Sequence, residues 1–318
     1  MFERYIRLIF SSDLTKECGM RKSALLTILT LGLLSINSSA NACTAFAASG
    51  EDFVKGGGSL IAKVRDEIPS VQKVKTVNPA DGYAYSGLFV GKKQKFNMGV
   101  NEKGFVVFRT TAGSVPKAER APNGRFRSED GLDSQEFLIR HCATVDEALQ
   151  HKEVFKEATN FVMADNTKVA FVEVKPDGTF LVEVKENGTL SHTNHYLLDG
   201  SKDANTKIGK SSQTRLVRID QLLNESKKPL SMEDFKKFTD DQNAGPNNSI
   251  FRTGSKKKGS ISTLSKMVVY LPKNGKPDIY LTWRPDPKRS NYWETTNHLL
   301  PFELTTDRSQ ELRMKRHF

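Results

Sequence analysis

Cys43 is set apart by what precedes it. It follows Ala40-Asn41-Ala42, with small residues at the −3 and −1 positions of a signal-peptidase site, so cleavage after Ala42 would make Cys43 the first residue of the processed chain. An N-terminal cysteine combines two reagents. Its thiol, with a free pKa of about 8.5, is the nucleophile. Its α-amine, at about 7.7–8.0, can accept a proton near neutral pH, so no separate histidine is required as base. Asp66 is the carboxylate expected beside that amine. The chemistry is attack on an amide carbonyl. A lone cysteine has a plainer use as a small buried hydrophobe, which is the expectation for Cys142.

The segment ahead of Cys43 fits this reading. Arg21 and Lys22 form a short positive region, and Ala24 to Ile36 an apolar stretch of signal-peptide length, short for a membrane span. The expectation is a leader over 1–42 with its true start at Met20, followed by one catalytic domain over 43–318. The product would be periplasmic or secreted, with signal peptidase as its maturation partner. A lipoprotein also matures to an N-terminal Cys, but its signal usually carries Leu at −3, where this chain has Ala40. Lipidation would block both the amine and the sulfur.

The 318 residues are 37% hydrophobic and 27% charged, a globular balance, with a formal net charge of +11. The leader holds five Lys/Arg and three Asp/Glu, which leaves +9 on the remainder. That surplus favours anionic substrates or surfaces. No finger, zipper or RNA-binding pattern accompanies it, so nucleic acid is not an expected partner. Lys256-Lys257-Lys258, between Gly254 and Gly259, reads as a solvated loop tip. Cys43 and Cys142 are too few for a disulfide framework. No Gly-rich phosphate loop follows a strand, and His192 and His195 lack a nearby Cys or acid cluster, so neither cofactor nor metal is expected.

The elements that must position these residues are mostly strands. Strands are expected at 44–48, 59–64, 83–90, 95–100, 105–111, 161–164, 169–174, 179–184, 263–271 and 277–283. Helices are expected at 134–141, 145–150, 213–224 and 231–238, and polar loops at 113–130 and 240–262. Asp177-Gly178 and Asn187-Gly188 read as hairpin turns. Strands in runs with helices between them give an α+β layered fold rather than a doubly wound sheet.

Ordered motifs add a resemblance. Cys43-Thr44-Ala45-Phe46 and Gly58-Ser59-Leu60-Ile61-Ala62-Lys63-Val64-Arg65-Asp66 resemble the opening of the N-terminal-nucleophile amidases, which include penicillin acyltransferase-like proteins and choloylglycine hydrolases. Gly99 to Phe105, Thr193-Asn194-His195-Tyr196 and Ser212-Gln213-Thr214-Arg215 resemble later motifs in the same order. The resemblance implies a four-layer αββα sandwich and amide hydrolysis or acyl transfer on a small-molecule amide. It implies Cys43 as nucleophile and base, Asp66 on the amine, and Lys63 where the choloylglycine branch has Arg. It further implies Asn194 as side-chain oxyanion donor, a backbone N–H near Thr111 as the second donor, and Arg215 as electrostatic support. Val64 departs from the usual Asn, and Thr111 from the Asn of the choloylglycine branch. The opening is also similar to an exported dipeptidase branch, against which the 193–196 motif speaks. Plainer uses stay open: a surface ion pair for Asp66 with Arg65 or Lys63, a turn for Asn194, a solvated helix face for Arg215.

Overall fold

The computed structural model describes residues 42–299 apart from 256, 258 and 298. The expected leader up to Asn41, with Met20 and Cys18, lies outside these residues, as do Lys256 and Lys258 of the basic run. Two antiparallel sheets dominate. The first has six strands in the order β10-β1-β2-β11-β12-β13 and the second seven in the order β3-β4-β5-β6-β7-β8-β9. The strands of the first sheet are β1 (Ala42–Ser49), β2 (Ser59–Glu67), β10 (Gly188–His192), β11 (Ser262–Leu271), β12 (Asp278–Trp283) and β13 (Glu294–Thr296). Those of the second are β3 (Gln72–Val77), β4 (Tyr85–Val90), β5 (Lys95–Asn101), β6 (Val106–Thr111), β7 (Thr159–Ala164), β8 (Val169–Val174) and β9 (Phe180–Lys185). The main helices are α1 (Ser134–His141), α2 (Val145–Gln150), α3 (Lys210–Glu225) and α4 (Met232–Thr239).

The layers follow from side-chain alternation. Successive residues of a strand face opposite sides of a sheet, so a central strand buried on both sides must be apolar at odd and even positions alike. Ala45 and Ala47 of β1, Ile61 of β2, Val106 and Phe108 of β6, and Met267 and Val269 of β11 fill the space between the sheets. The alternate positions turn outward. Phe46, Ala62, Val64 and Val268 meet Ile219 and Leu223 of α3 and Phe235 and Phe238 of α4. Phe105, Val107 and Phe161 meet Leu138 and Ile139 of α1 and Val145 and Ala148 of α2. The result is the expected αββα order.

The helices have clear local causes. Asp133 accepts from the backbone N–H groups of Gln135 and Glu136 at the start of α1. Ser231 and Asp234 form a reciprocal capping box on α4. At Gly58, φ is +76° and a Cβ would lie 2.1 Å from the Leu271 carbonyl oxygen, so the turn into β2 needs glycine.

One turn differs from expectation. Asp177-Gly178 does join the hairpin β8–β9, but Asn187-Gly188 does not close a hairpin: β9 pairs with β8, whereas β10 crosses to the other sheet and pairs with β1. The chain changes sheets here and so delivers the 193–196 segment to the end of β1. β3, β10 and β13 were not expected from sequence, and neither was the short helix Gly245–Asn248 inside the 240–262 loop.

Candidate active site

Cys43 lies near the start of β1, opposite Arg65 in the β1–β2 register, while Ala42 lies opposite Asp66. Parity then separates two sets of side chains. Cys43 shares the inter-sheet face of β1 with Ala45 and Ala47, and Lys63 and Arg65 share it on β2 with Ile61. Thr44 and Asp66 have the parity of Phe46 and Val64, which face α3 and α4. The thiol and the carboxylate therefore leave their strands toward different layers.

On the thiol side lies a cleft of about 290 Å³, lined among others by Cys43, Lys63, Arg65, Thr111 and Gln135. Lys63 is 1% exposed, and its Nζ donates to the Asn97 carbonyl oxygen (3.2 Å) and to Asn97 Oδ1 (3.0 Å). Burial pulls its pKa down to about 8. Burial pushes the Cys43 thiol up, against the pull of the Lys63 charge and of a hydrogen bond from the Asp66 backbone.

The helix side is held by Arg215, also 1% exposed. Its Nη1 donates to the Cys43 carbonyl oxygen and to Thr44 Oγ1 (2.8 Å), and its Nη2 to Asn194 Oδ1 (2.9 Å). A guanidinium can only donate, so this bond fixes which end of the Asn194 amide is oxygen. The same Oδ1 accepts from the Cys43 nitrogen at 2.9 Å, and Asn194 Nδ2 donates to the Thr111 carbonyl oxygen at 2.9 Å. In this chain, where Ala42 still precedes Cys43, the Cys43 nitrogen thus bonds Asn194 rather than Asp66. Thr111 thus meets Asn194 through its carbonyl oxygen.

Asp66 is fully buried, which removes the surface ion pair as its use. Its Oδ1 accepts from Thr263 Oγ1 at 2.7 Å, while Oδ2 has no hydrogen-bond partner among the described residues. Thr263 is aimed there by a bulge in β11, where the register slips between Thr263 and Ser265. Burial raises the Asp66 carboxyl to about 7, opposed by the charges of Arg215 and Arg252.

The model of the acyl-coenzyme A:6-aminopenicillanic acid acyl-transferase family matches residues 55–284. The chain belongs to this family. The match begins twelve residues after Cys43. No curated protein matches significantly by sequence. Among solved structures, two variants of the conjugated bile acid hydrolase from Clostridium perfringens superpose with a TM-score of 0.50, at 14% and 13% identity, over 80% of this chain and 92% of theirs. Penicillin V acylase from Agrobacterium tumefaciens gives 0.46 at 15% identity, over 75% of this chain and 82% of its own. The likeness to the bile acid hydrolase is one of fold, that of the N-terminal-nucleophile hydrolases. This acyl-transferase family member is accordingly an enzyme of the amide-hydrolase and acyltransferase class.

In this family member the later motifs acquire physical jobs. Ser212 and Arg215 lie one turn apart on the buried stripe of α3 that continues through Ile219 and Leu223. Ser212 Oγ accepts from the Asn194 backbone N–H (2.9 Å) and meets His195 Nδ1 (2.8 Å), so Ser212 holds the segment while Arg215 holds the Asn194 side chain. Asn101 is structural: its Nδ2 donates to the carbonyls of Ile139 and Cys142, tying the 101–104 turn to the end of α1. His192 pairs with buried Glu173 at 2.7 Å, and Glu173 also accepts from Leu197 N at 2.6 Å. Sequence reasoning missed Glu173, Thr263 and Arg252, because nothing local marks a residue whose partner is remote in the chain. Among the described residues no group of three or more His, Cys, Asp or Glu could hold a metal ion. Cys43 and Cys142 are both free thiols, the latter packed in the core beside α1.

Proposed function

We propose that the protein is an exported cysteine amidase or acyltransferase, activated when removal of the leader after Ala42 frees the Cys43 amine. The observation that carries this reading is the convergence on one residue. The nitrogen and oxygen of Cys43 are fixed by Asn194 and Arg215, while its side chain borders a cleft with Lys63.

With Ala42 attached, the nitrogen is an amide and cannot act as a base, and burial keeps the thiol protonated. Release of Ala42 leaves an amine at the strand position beside Asp66, whose Oδ2 has no hydrogen-bond partner among the described residues. The amine takes the thiol proton, with Lys63 favouring the thiolate. The sulfur then attacks the amide carbonyl carbon, forming a C–S bond and a tetrahedral oxyanion. One N–H of Asn194 Nδ2 is used by Thr111, and the other is the donor offered to that oxyanion. The C–N bond breaks as the α-ammonium returns its proton to the departing amine. Water, or another amine, then cleaves the thioester and regenerates the thiol. Each preorganised oxyanion donor of this kind is worth ~10²–10³ in rate.

An anchoring role for Cys43 fits the site poorly, because the residue is 6% exposed and paired with Arg65 in β2, whereas an anchor would hold its sulfur out in solvent. The test is mass spectrometry of the protein recovered after expression, together with an amide-library screen. The expected mature mass begins at an unmodified Cys43, and Cys43→Ala should lose at least ~10³-fold in turnover while retaining its circular dichroism spectrum. A diacylglycerol adduct on Cys43, or a fully active Cys43→Ala, would sink the proposal.

A further inference from the structure

Beyond Thr111 the cleft opens into a second chamber, also of about 290 Å³. The two share a wall made of Arg109, Thr111, Arg125, Glu157 and Thr159, so a substrate held at Cys43 reaches the chamber directly. The charges around the chamber do not balance. Among the described residues Glu157 is its single carboxylate, against Arg109, Lys117, Arg120 and Arg125. Glu157 is shared by two of them, Arg109 at 2.7 Å and Arg125 at 2.8 Å. Half-buried Arg120 is held through its Nε by the neutral Val115 carbonyl oxygen at 2.9 Å. Lys117 has no acceptor among the described residues. Among the described residues Ala158 is the one hydrophobic side chain on the chamber wall.

Such a wall suits one kind of group. An aliphatic or steroid arm would gain little there, because hydrophobic stabilisation scales with apolar surface covered and the cations would lose water in return. A carboxylate or phosphate would accept charge-assisted hydrogen bonds from guanidinium groups already partly withdrawn from solvent. We propose that this chamber is an anion subsite, and that the amide substrate carries a carboxylate or similar anionic group on the arm that enters it. The subsite rests on the amidase reading for its role in turnover, but not for its binding chemistry.

Binding tests the subsite without any turnover. Succinate and butanamide are titrated calorimetrically into the protein recovered after expression of the full 318-residue chain. Succinate should bind at least ~10-fold more tightly than butanamide, the preference falling with added salt and in the double variant Lys117→Gln with Arg125→Gln. Succinate binding no better than butanamide overturns the subsite, whether or not amides are cleaved.

Turnover then shows which arm is anionic. The acyl-side pair is N-succinyl and N-butanoyl 4-nitroanilide; the amine-side pair is N-hexanoylglycine and N-hexanoyl ethylamide. The charged member of one pair should lead by at least ~10-fold in kcat/KM, and the double variant should bring that ratio toward one. Neutral members favoured in both pairs would overturn the proposal. Tight succinate binding with no cleavage of any amide would support the subsite and sink the amidase reading instead.

Discussion

Around Cys43 the ionisable groups are buried and tied to distant parts of the chain, whereas along residues 113–130 the cations stand partly in solvent on a loop. Lys63, Asp66 and Arg215 come from β2 and α3 and are almost completely withdrawn from water. Arg125 keeps 53% of its side chain exposed, and Lys117 is exposed as well. A buried charge can hold only one geometry, because each lost hydrogen bond leaves an unpaired group in a low-dielectric interior. An exposed arginine can rearrange at little cost. The floor is therefore suited to fixed chemistry and the wall to discrimination among substrates, which is how loops on rigid scaffolds generally serve.

The contrast predicts unequal consequences for mutation, and the largest should come from the floor. Arg215→Leu leaves the Cys43 carbonyl, Thr44 Oγ1 and Asn194 Oδ1 without their donor and the Asp66 charge without its main counter-charge. Breaking a buried charge network in this way costs about 3–5 kcal/mol, readable as a lower urea midpoint at unchanged m. An unshifted midpoint would show that Arg215 does not hold the floor together.

Next comes Asn194→Ala, which removes the acceptor for the Cys43 nitrogen and the proposed oxyanion donor together. Turnover of a cleaved amide should fall by ~10²–10³. Near-normal kcat would remove Asn194 from the mechanism.

A smaller effect is expected from Asp66→Asn, and it is a slope rather than an offset. The Asp66 carboxyl is raised from 3.8 to about 7 by burial. Between those values the folded chain keeps a proton that the unfolded chain has released, so this group's contribution to stability declines as pH rises from 3.8 through 7. Urea unfolding across that range should decline less steeply in the variant than in the parent. His195, lowered to about 4 by burial and by the nearby His192, contributes the opposite slope and is common to both proteins, so it cancels in the comparison.

The smallest effect belongs to the wall. Arg125→Gln removes one half-exposed partner of Glu157 while Arg109 remains, and should change stability by less than about 1 kcal/mol. A loss as large as that of Arg215→Leu would erase the distinction between the two regions.

Helices α1 and α2 were legible in the sequence to the residue, because capping and amphipathic spacing are local signals. Of the strands, β3 was missed because Lys73 and Lys75 interrupt its hydrophobic pattern, as suits a strand at a sheet edge. β10 was missed because it is short and polar, and because Asn187-Gly188 carries the composition of a hairpin turn without the pairing of one. At the site, Cys43, Lys63, Asp66, Thr111, Asn194 and Arg215 were all named from sequence, and the fold gathers them around one strand end. Their individual bonds were not legible. That Asn194 receives the Cys43 nitrogen depends on a contact across 151 positions, and that Thr263 reaches Asp66 depends on a bulge with no sequence mark.

By itself the sequence determined the α+β layering and singled out Cys43 as the candidate nucleophile. Apolar residues at both odd and even positions of the central strands require a surface on each side, and that demand is met within a few residues of chain. Only the tertiary structure decided that β10 crosses to β1, that Asp66 turns toward α3 while Lys63 and Arg65 turn toward the cleft, and that four cations stand around one carboxylate, paired with two of them, beyond Thr111. Those outcomes depend on which distant segments bury one another, a choice made by the summed packing of two sheets rather than by any local preference.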